Sequence, residues 1–310
     1  MNVLFLQTAD STRYAPMLRL TGQTVEAYAS RHGHSYNSFL GVKRGFHPWH
    51  AVYNRIEMLT SLMVEGYTGW AVYLDADSYI HGQDFDLRAY LAGKENIAFI
   101  AAPDLADPPL WWRINDGVFA INLGHPMAVR ILLRWRAAFH AISDDDLRRA
   151  ETWAAVPSDQ MLLHECLRHM PEAESACLTT RDVCGVLNYA HAAFIRQVLR
   201  AVTNDDMAQR MKIIEAAVAE AMGEAFAPLN AAAPPAPLAS SRRQEAEDYV
   251  NALYQILLLR EPDPEGFAHA VAQCCTPGHS WADELRAVLG SGEFRAKAAA
   301  FAAHHAKGGG

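Results

Sequence analysis

Residues 70–80 constrain this chain more than any other stretch. An apolar run, Trp70-Ala71-Val72-Tyr73-Leu74, ends in Asp75-Ala76-Asp77. A run this short, rich in Val and aromatic residues and preceded by Gly69, predicts a buried strand rather than a helix. Asp75 and Asp77 are spaced i, i+2, so on an extended backbone both carboxylates leave the same face. Ligands of open α/β sheets sit beyond the carboxyl ends of the strands. Paired hard oxygen donors at that place suit Mg²⁺ or Mn²⁺, ions usually shared with substrate phosphates. The same two residues can instead start a turn or cap the next element, so the rest of the chain has to decide.

The 310 residues are enough for one large core and a smaller unit. Apolar residues make up 51% and charged residues 20%, a folded rather than a disordered composition. A formal net charge of −8 argues against a nucleic-acid or anionic-membrane binder, which needs a basic surface. The five cysteines, Cys166, Cys177, Cys184, Cys274 and Cys275, are odd in number and lack zinc-ligand spacing. They read as reduced thiols of a cytoplasmic protein. Met1-Asn2-Val3-Leu4-Phe5-Leu6 has no basic leader and reads as a first strand, not a signal peptide. No stretch approaches the length of a membrane span.

The order of elements is that of an α/β fold. A strand at 3–6 leads into Gln7-Thr8-Ala9-Asp10, and a helix is predicted over 16–31, stopped by Gly33. Asp10 is placed either to accept from a nucleoside or to cap that helix. A strand over 35–40, an amphipathic helix over 51–65 carrying Arg55, and the strand at 70 follow, which is βαβ grammar with a partly parallel sheet. Further strands are predicted at 96–102 and 177–179, and helices over 85–91 and 126–141. Trp111 and Trp112 form either a sugar-stacking wall or a loop anchor. Asn115-Asp116-Gly117 reads as a turn into an apolar strand. Asp144-Asp145-Asp146 reads as a solvated loop or helix start. Ser158 caps a helix whose first turn holds Asp159 and Gln160. A long helix starts near Asp206. Residues 228–242, rich in Ala and Pro, read as a linker, and helices return over 243–304 before a frayed tail at 305–310.

Taken together, residues 1–200 resemble the nucleotide-sugar glycosyltransferases of the GT-A type. They look closest to the retaining group of glycogenin-like, lipopolysaccharide galactosyl- and yeast galactosyl/mannosyl-type enzymes. Thr8-Ala9-Asp10 with Tyr14 is similar to that family's first-strand segment, which holds the nucleoside. Tyr53-Asn54-Arg55 looks like its Tyr-x-Arg helix, whose Arg reaches the donor. Tyr73-Leu74-Asp75-Ala76-Asp77 matches its Asp-x-Asp motif. Asn115-Asp116-Gly117-Val118-Phe119 is similar to its strand near the donor sugar, and Asp159-Gln160 resembles its pair beside the reacting centre. His191 falls where the family keeps a third metal ligand. Ala192-Ala193-Phe194-Ile195-Arg196 follows it where the family often has Gly and then Lys-Pro-Trp, with Arg196 in place of the Lys as a diphosphate contact.

The resemblance implies a Rossmann-like mixed sheet flanked by helices over 1–227. It also implies Mn²⁺ or Mg²⁺ at Asp75, Asp77 and His191, a donor seat of Thr8, Ala9, Asp10, Tyr14, Arg55, Asn115 and Arg196, and a reacting centre of Asp116, Asp159 and Gln160. The reaction it implies is transfer of a sugar from a nucleoside diphosphate, with UDP-hexose foremost, to a hydroxyl of a glycan, protein or small molecule, with retention. Residues 243–300 resemble a small all-α bacterial domain of unassigned function found beside glycosyltransferases. This implies a bacterial source and a protein or acceptor partner for that module. Two rival readings remain: a non-catalytic scaffold working through the helical module, and a Mg²⁺-dependent phosphohydrolase.

Overall fold

The computed structural model describes residues 3–104, 109–153, 155–226 and 228, and in the C-terminal part 246–247, 249–250, 253–254, 263–275, 287–289 and 291–296. The chain divides into two units, Met1–Leu229 and Asn230–Gly310.

The first unit is a mixed α/β structure around a six-stranded sheet. Strand β1 (Leu4–Ala9) leads to helix α1 (Ala15–His32), and Gly33 ends that helix at φ 64°, a left-handed conformation that glycine adopts without steric cost. Strand β2 (Ser35–Leu40) returns parallel to β1. A 3-10 turn, Pro48–Tyr53, runs into α2 (Asn54–Val64), so the predicted single helix over 51–65 is two elements. Strand β3 (Trp70–Asp75) lies parallel to β1 on its other side, and β4 (Ser78–Ile80) follows after a two-residue turn. Helix α3 (Leu87–Leu91) precedes β5 (Phe99–Pro103) and β6 (Ile114–Asn122). β6 is antiparallel to both β3 and β5. Helices α4 (Pro126–His140), α5 (Asp144–Arg149) and α6 (Asp159–Arg168) come next. Then follow β7 (Cys177–Leu178), β8 (Ile195–Gln197) and α7 (Met207–Met222). The sheet order is β2-β1-β3-β6-β5-β7, and β4 pairs with β8 in a separate two-stranded sheet.

The central strands are apolar on both faces because both faces are covered. On one face Leu6, Tyr73, Phe119 and Ile121 pack against α2, α4 and α6 through Ile56, Leu59, Trp135 and Leu163. On the other, Phe5, Val72, Val118 and Ile100 meet Val25 and Tyr28 of α1 and Phe194. α7 docks Ile214 and Val218 against Met17 and Leu20 of α1 and Tyr79 of β4.

One sequence expectation is corrected here, and two that held alternatives open are decided. Asn115, Asp116 and Gly117 lie inside β6, not in a turn before it. Asp144-Asp145-Asp146 forms the first turn of α5, where carboxylates complement the helix dipole and Ser143 caps. Trp111 and Trp112 pack against the main core, Trp112 edge-on to His164, as a loop anchor.

In the second unit, helix α8 (Pro264–Cys275) is capped by Asp263, whose carboxylate accepts from the Gly266 N–H at 2.8 Å. Val271 and Cys274 of α8 are buried in a cluster with Ala246 and Val250, and Leu253 lies against Val288. The described residues of this unit are almost all helical. The linker reading from 229 to 242, the tail at 305–310 and most of the helix predicted around Trp281 fall outside the described residues. Among the described residues, no helix is long and apolar enough to cross a membrane.

Candidate active site

The site is built on the turn that joins β3 to β4. Every carbonyl of Asp75-Ala76-Asp77-Ser78 has a partner from elsewhere in the chain. Gln7, fully buried on β1, donates its amide to Asp75 O at 3.2 Å and Ser78 O at 3.1 Å, and accepts from Tyr36 Oη at 2.8 Å. Thr21 Oγ1 of α1 donates to Ala76 O at 2.9 Å. The Val198 N–H donates to Asp77 O at 3.1 Å. Buried backbone carbonyls need such partners, and here they fix the turn from three directions. Asp77 sits in the turn rather than on the extended strand, yet the two carboxylates still converge. Gln197 Nε2 lies 2.9 Å from Asp77 Oδ1 and 3.4 Å from Asp75 Oδ2.

The register of β8 brings Gln197 there. Ser78 pairs with Gln197 and Tyr79 with Arg196. Neighbouring residues of a strand face opposite sides, so Arg196 turns away, its Nε donating to Ala192 O at 2.9 Å. Arg196 is therefore not gathered with the carboxylates. Gly117 of β6 lies beneath: a Cβ there would stand 2.5 Å from Gln197 Nε2 and 3.0 Å from Asp75 Oδ2. Only a glycine leaves room for this arrangement. The other oxygen of Asp77 is held by Arg210, a buried α7 residue whose Nε donates to Val198 O at 2.8 Å. Tyr14, at the start of α1, is half-buried with its ring 5.9 Å from the Arg210 guanidinium.

Behind the turn, Arg55 forms a hub of three carboxylates. Its Nη2 bonds Asp75 Oδ1 at 2.6 Å, Nη1 meets Asp116 Oδ2 at 3.2 Å, and Nε lies 2.9 Å from Asp159 Oδ2. Nη1 also donates to Asp116 O at 2.5 Å, and the guanidinium lies 4.3 Å from the Tyr73 ring centre. The side chains of Arg55, Asp159 and Asp116 are 3%, 3% and 6% exposed, whereas Asp75 is 30% exposed. Burial opposes the charge on Arg55, but Asp116, Asp159 and Asp75 together raise its pKa well above the ordinary guanidinium value. Burial raises Asp159 well above the usual carboxylate range against the pull of Arg55, with Asp116 and Asp75 adding to the rise. Asp116 is raised as well, by burial first and then Asp75, again against Arg55. The predicted donor contact Arg55 and the predicted catalytic residues Asp116 and Asp159 thus form an internal cluster that orients Asp75.

A cleft of about 560 Å³ opens beside this cluster, lined by Asn115, Gln160, Asn188, Gln197, Leu199 and Val202 among others. Asn115 and Gln160, two of the residues singled out in the sequence, reach it. Gln160 Oε1 accepts from the Asp116 N–H at 3.3 Å, which leaves its amide N–H groups to donate. Asn188, at φ 73°, donates its amide to Asn115 O at 3.1 Å and fixes the cleft wall.

At the end of β1, Asp10 holds together the loop of residues 11–14 that leads into α1. Its carboxylate accepts from the N–H groups of Thr12, Arg13 and Tyr14 at 2.8, 2.6 and 3.1 Å. Burial raises its pKa, but a bond from Thr12 Oγ1 at 2.7 Å and these N–H bonds together lower it. Thr8 Oγ1 accepts from Asn54 Nδ2 at 2.8 Å and donates to Phe39 O at 3.0 Å, while Ala9 O receives the Gly41 N–H. His191 is exposed on the loop before β8. Among the described residues, no three His, Cys, Asp or Glu side chains are grouped to hold a metal ion, so His191 is not gathered with Asp75 and Asp77. Sequence reasoning missed Gln7, Thr21, Gln197 and Arg210. The alternation of β8 is the one signal that would have pointed to Gln197.

No family model matches this chain. No curated protein matches it either. Among solved structures, a glycosyltransferase involved in the glycosylation of the major capsid of PBCV-1 is similar over its whole length. It aligns with 70% of this chain at 15% identity and a TM-score of 0.52. GlyE, a glycosyltransferase of Streptococcus pneumoniae TIGR4, aligns over 69% of this chain and 63% of its own, at 11% identity and a TM-score of 0.39. The first likeness shows the fold: a mixed α/β sheet flanked by helices.

Proposed function

We propose that the first unit is a glycosyltransferase that moves a sugar, a hexose carried on UDP foremost, from a nucleoside diphosphate to an acceptor hydroxyl with retention. The observation that carries this reading is the convergence of Asp75 and Asp77 beside a cleft lined in part by Asn115, Gln160 and Gln197, on a fold shared with a glycosyltransferase. The residues fit a divalent ion. Two carboxylate oxygens approach one point, now taken by an amide nitrogen, and the oxygen of that same amide is buried without a partner. Asp75 and Asp77 would hold the ion, Mn²⁺ or Mg²⁺, which when bound supplies positive charge to a leaving diphosphate.

The chain's own groups do the rest. Arg55 fixes Asp75 Oδ1 so that Oδ2 faces the seat. Arg210 offsets one negative charge at Asp77, and its Nη1, buried without a hydrogen-bond partner, adds positive potential beside the diphosphate. Gln160 offers amide N–H groups to the sugar from the cleft wall. Asp159 is buried on Arg55, so Gln160 is the member of that pair that meets the reacting centre. With Asp116 and Asp159 both withdrawn, front-face attack suits the retaining outcome better than a covalent carboxylate intermediate. The second unit is read as an acceptor- or protein-binding module of a bacterial, cytoplasmic enzyme.

The test is release of sugar from a panel of UDP- and GDP-sugars with Mn²⁺, beside the double variant Asp75→Asn/Asp77→Asn. Turnover of one donor that needs the metal and is lost in the variant supports the reading. No turnover together with no metal-dependent nucleotide binding would refute it and leave the scaffold reading.

A further inference from the structure

The two carboxylates of the turn lack a third protein ligand if His191 stays on its exposed loop. Gln197 stands where one is needed. Its amide bridges Asp75 Oδ2 and Asp77 Oδ1, and its Oε1 is buried with no hydrogen-bond partner. A buried amide oxygen without a partner is costly and rare. The seat around it is built: Gly117 has no side chain there, and β8 is pinned to β4 through Ser78↔Gln197. Without a cation, the electropositive end of the amide faces the carboxylates. A cation between them reverses that preference, and a turn of the amide about its last torsion exchanges N–H for oxygen at nearly the same place.

We infer that Gln197 is the third protein ligand of the divalent-ion seat, in place of His191. This rests on the metal-dependent reading above. An amide oxygen is a hard, neutral donor of the kind Mg²⁺ and Mn²⁺ accept. It adds no charge, so the seat's negative charge comes from Asp75 and Asp77 alone, each partly offset by an arginine, Arg55 and Arg210. Such a seat holds a divalent ion weakly by itself and better with a diphosphate that brings more oxygen donors. Gln197 also lines the cleft, which couples the seat to whatever occupies it.

The experiment is Mn²⁺ titration of the full chain, followed by electron paramagnetic resonance, with and without UDP. Wild type, Gln197→Ala, Gln197→Glu and His191→Ala are compared. The inference expects Gln197→Ala to weaken Mn²⁺ binding by about tenfold or more, Gln197→Glu to strengthen it, and His191→Ala to leave it unchanged. If Gln197 were only a hydrogen-bond donor competing for the carboxylates, Gln197→Ala would bind Mn²⁺ as well as or better than wild type. That result overturns the inference, as does loss of binding in His191→Ala. Should Gln197→Ala not fold, Gln197→Met keeps the side-chain volume and carries the comparison. Wild type that binds no Mn²⁺ with UDP present also overturns it. UDP binding measured in EDTA then separates the cases: retained, it leaves a transferase without this ion; absent, it sinks the transferase reading too.

Discussion

Replacing Arg55 with Met tests the charge balance at the heart of the first unit. Met is neutral, unbranched and similar in reach, so packing changes little while the cation disappears. Three carboxylates then face one another, two of them buried. Removing one partner of a buried ion pair costs about 3–5 kcal/mol, against a whole-domain stability of about 5–15 kcal/mol. Arg55→Met is therefore expected to lose at least that amount at pH 8. The loss depends on pH, and its sign follows from linkage. Asp159 and Asp116 have raised pKa values in the folded state, so above about pH 3.8 the folded chain holds more protons than the unfolded one, and stability falls as pH rises until the folded values are passed. Arg55 lowers both values, so its removal raises them and extends that window upward. Urea unfolding of wild type and Arg55→Met at pH 5 and pH 8 reads this directly. The difference should be full at pH 8 and shrink by half or more at pH 5, where the buried carboxyls of the variant are protonated. A difference below about 1 kcal/mol at pH 8, or an equal one at both pH values, would refute the reasoning.

Two further outcomes follow from other charged groups. Arg210→Met strips Asp77 of its buried partner and is expected to cost about 3–5 kcal/mol; adding Asp77→Asn should recover much of it, and a urea double-mutant cycle with no recovery would dissolve the pair. His50 is held neutral, its pKa lowered by burial to about 4, while its Nδ1 accepts from the Phe46 N–H at 2.9 Å. The unfolded chain takes up a proton near pH 6.5 that the folded chain refuses. Stability is therefore full above that pH and falls as pH drops towards 4. His50→Gln should flatten this slope in melts from pH 7.5 to 5.

The fold was legible where local chemistry and tertiary structure agree. β2 and the stop at Gly33 follow from an apolar-polar break and a left-handed glycine, and Ser158 caps α6 with its side chain accepting from the Met161 N–H. The strand ending in Asp75 was legible because an apolar run this short has one stable use. Asn115-Asp116-Gly117 misled because these turn-type residues lie near the start of β6, where its register with β5 shifts and Gly117 serves a close approach of side chains. Asp10 left two uses open, and the structure engages its carboxylate with the N–H groups of Thr12, Arg13 and Tyr14, in the loop ahead of α1 rather than in the helix itself. Gln197 was legible only through the alternation of β8, and Arg210 was not legible. Their roles come from the β4–β8 register and the docking of α7, which join residues far apart in sequence. Local pattern says which residues share a face, not which strand or helix they will meet.

The dependence of Asp77 on Arg210 has a consequence for how the molecule comes into being. Arg210 lies on the last long helix of the first unit, well past the segment that carries the recognisable motifs. During synthesis, β8 emerges before α7, so Asp77 can meet Gln197 while its second oxygen still waits for Arg210. Contacts between residues distant along the chain form late. The carboxylate pair thus matures only when α7 reaches α1 and lays its arginine in place. A chain cut just short of that helix would own every motif and still lack a finished site.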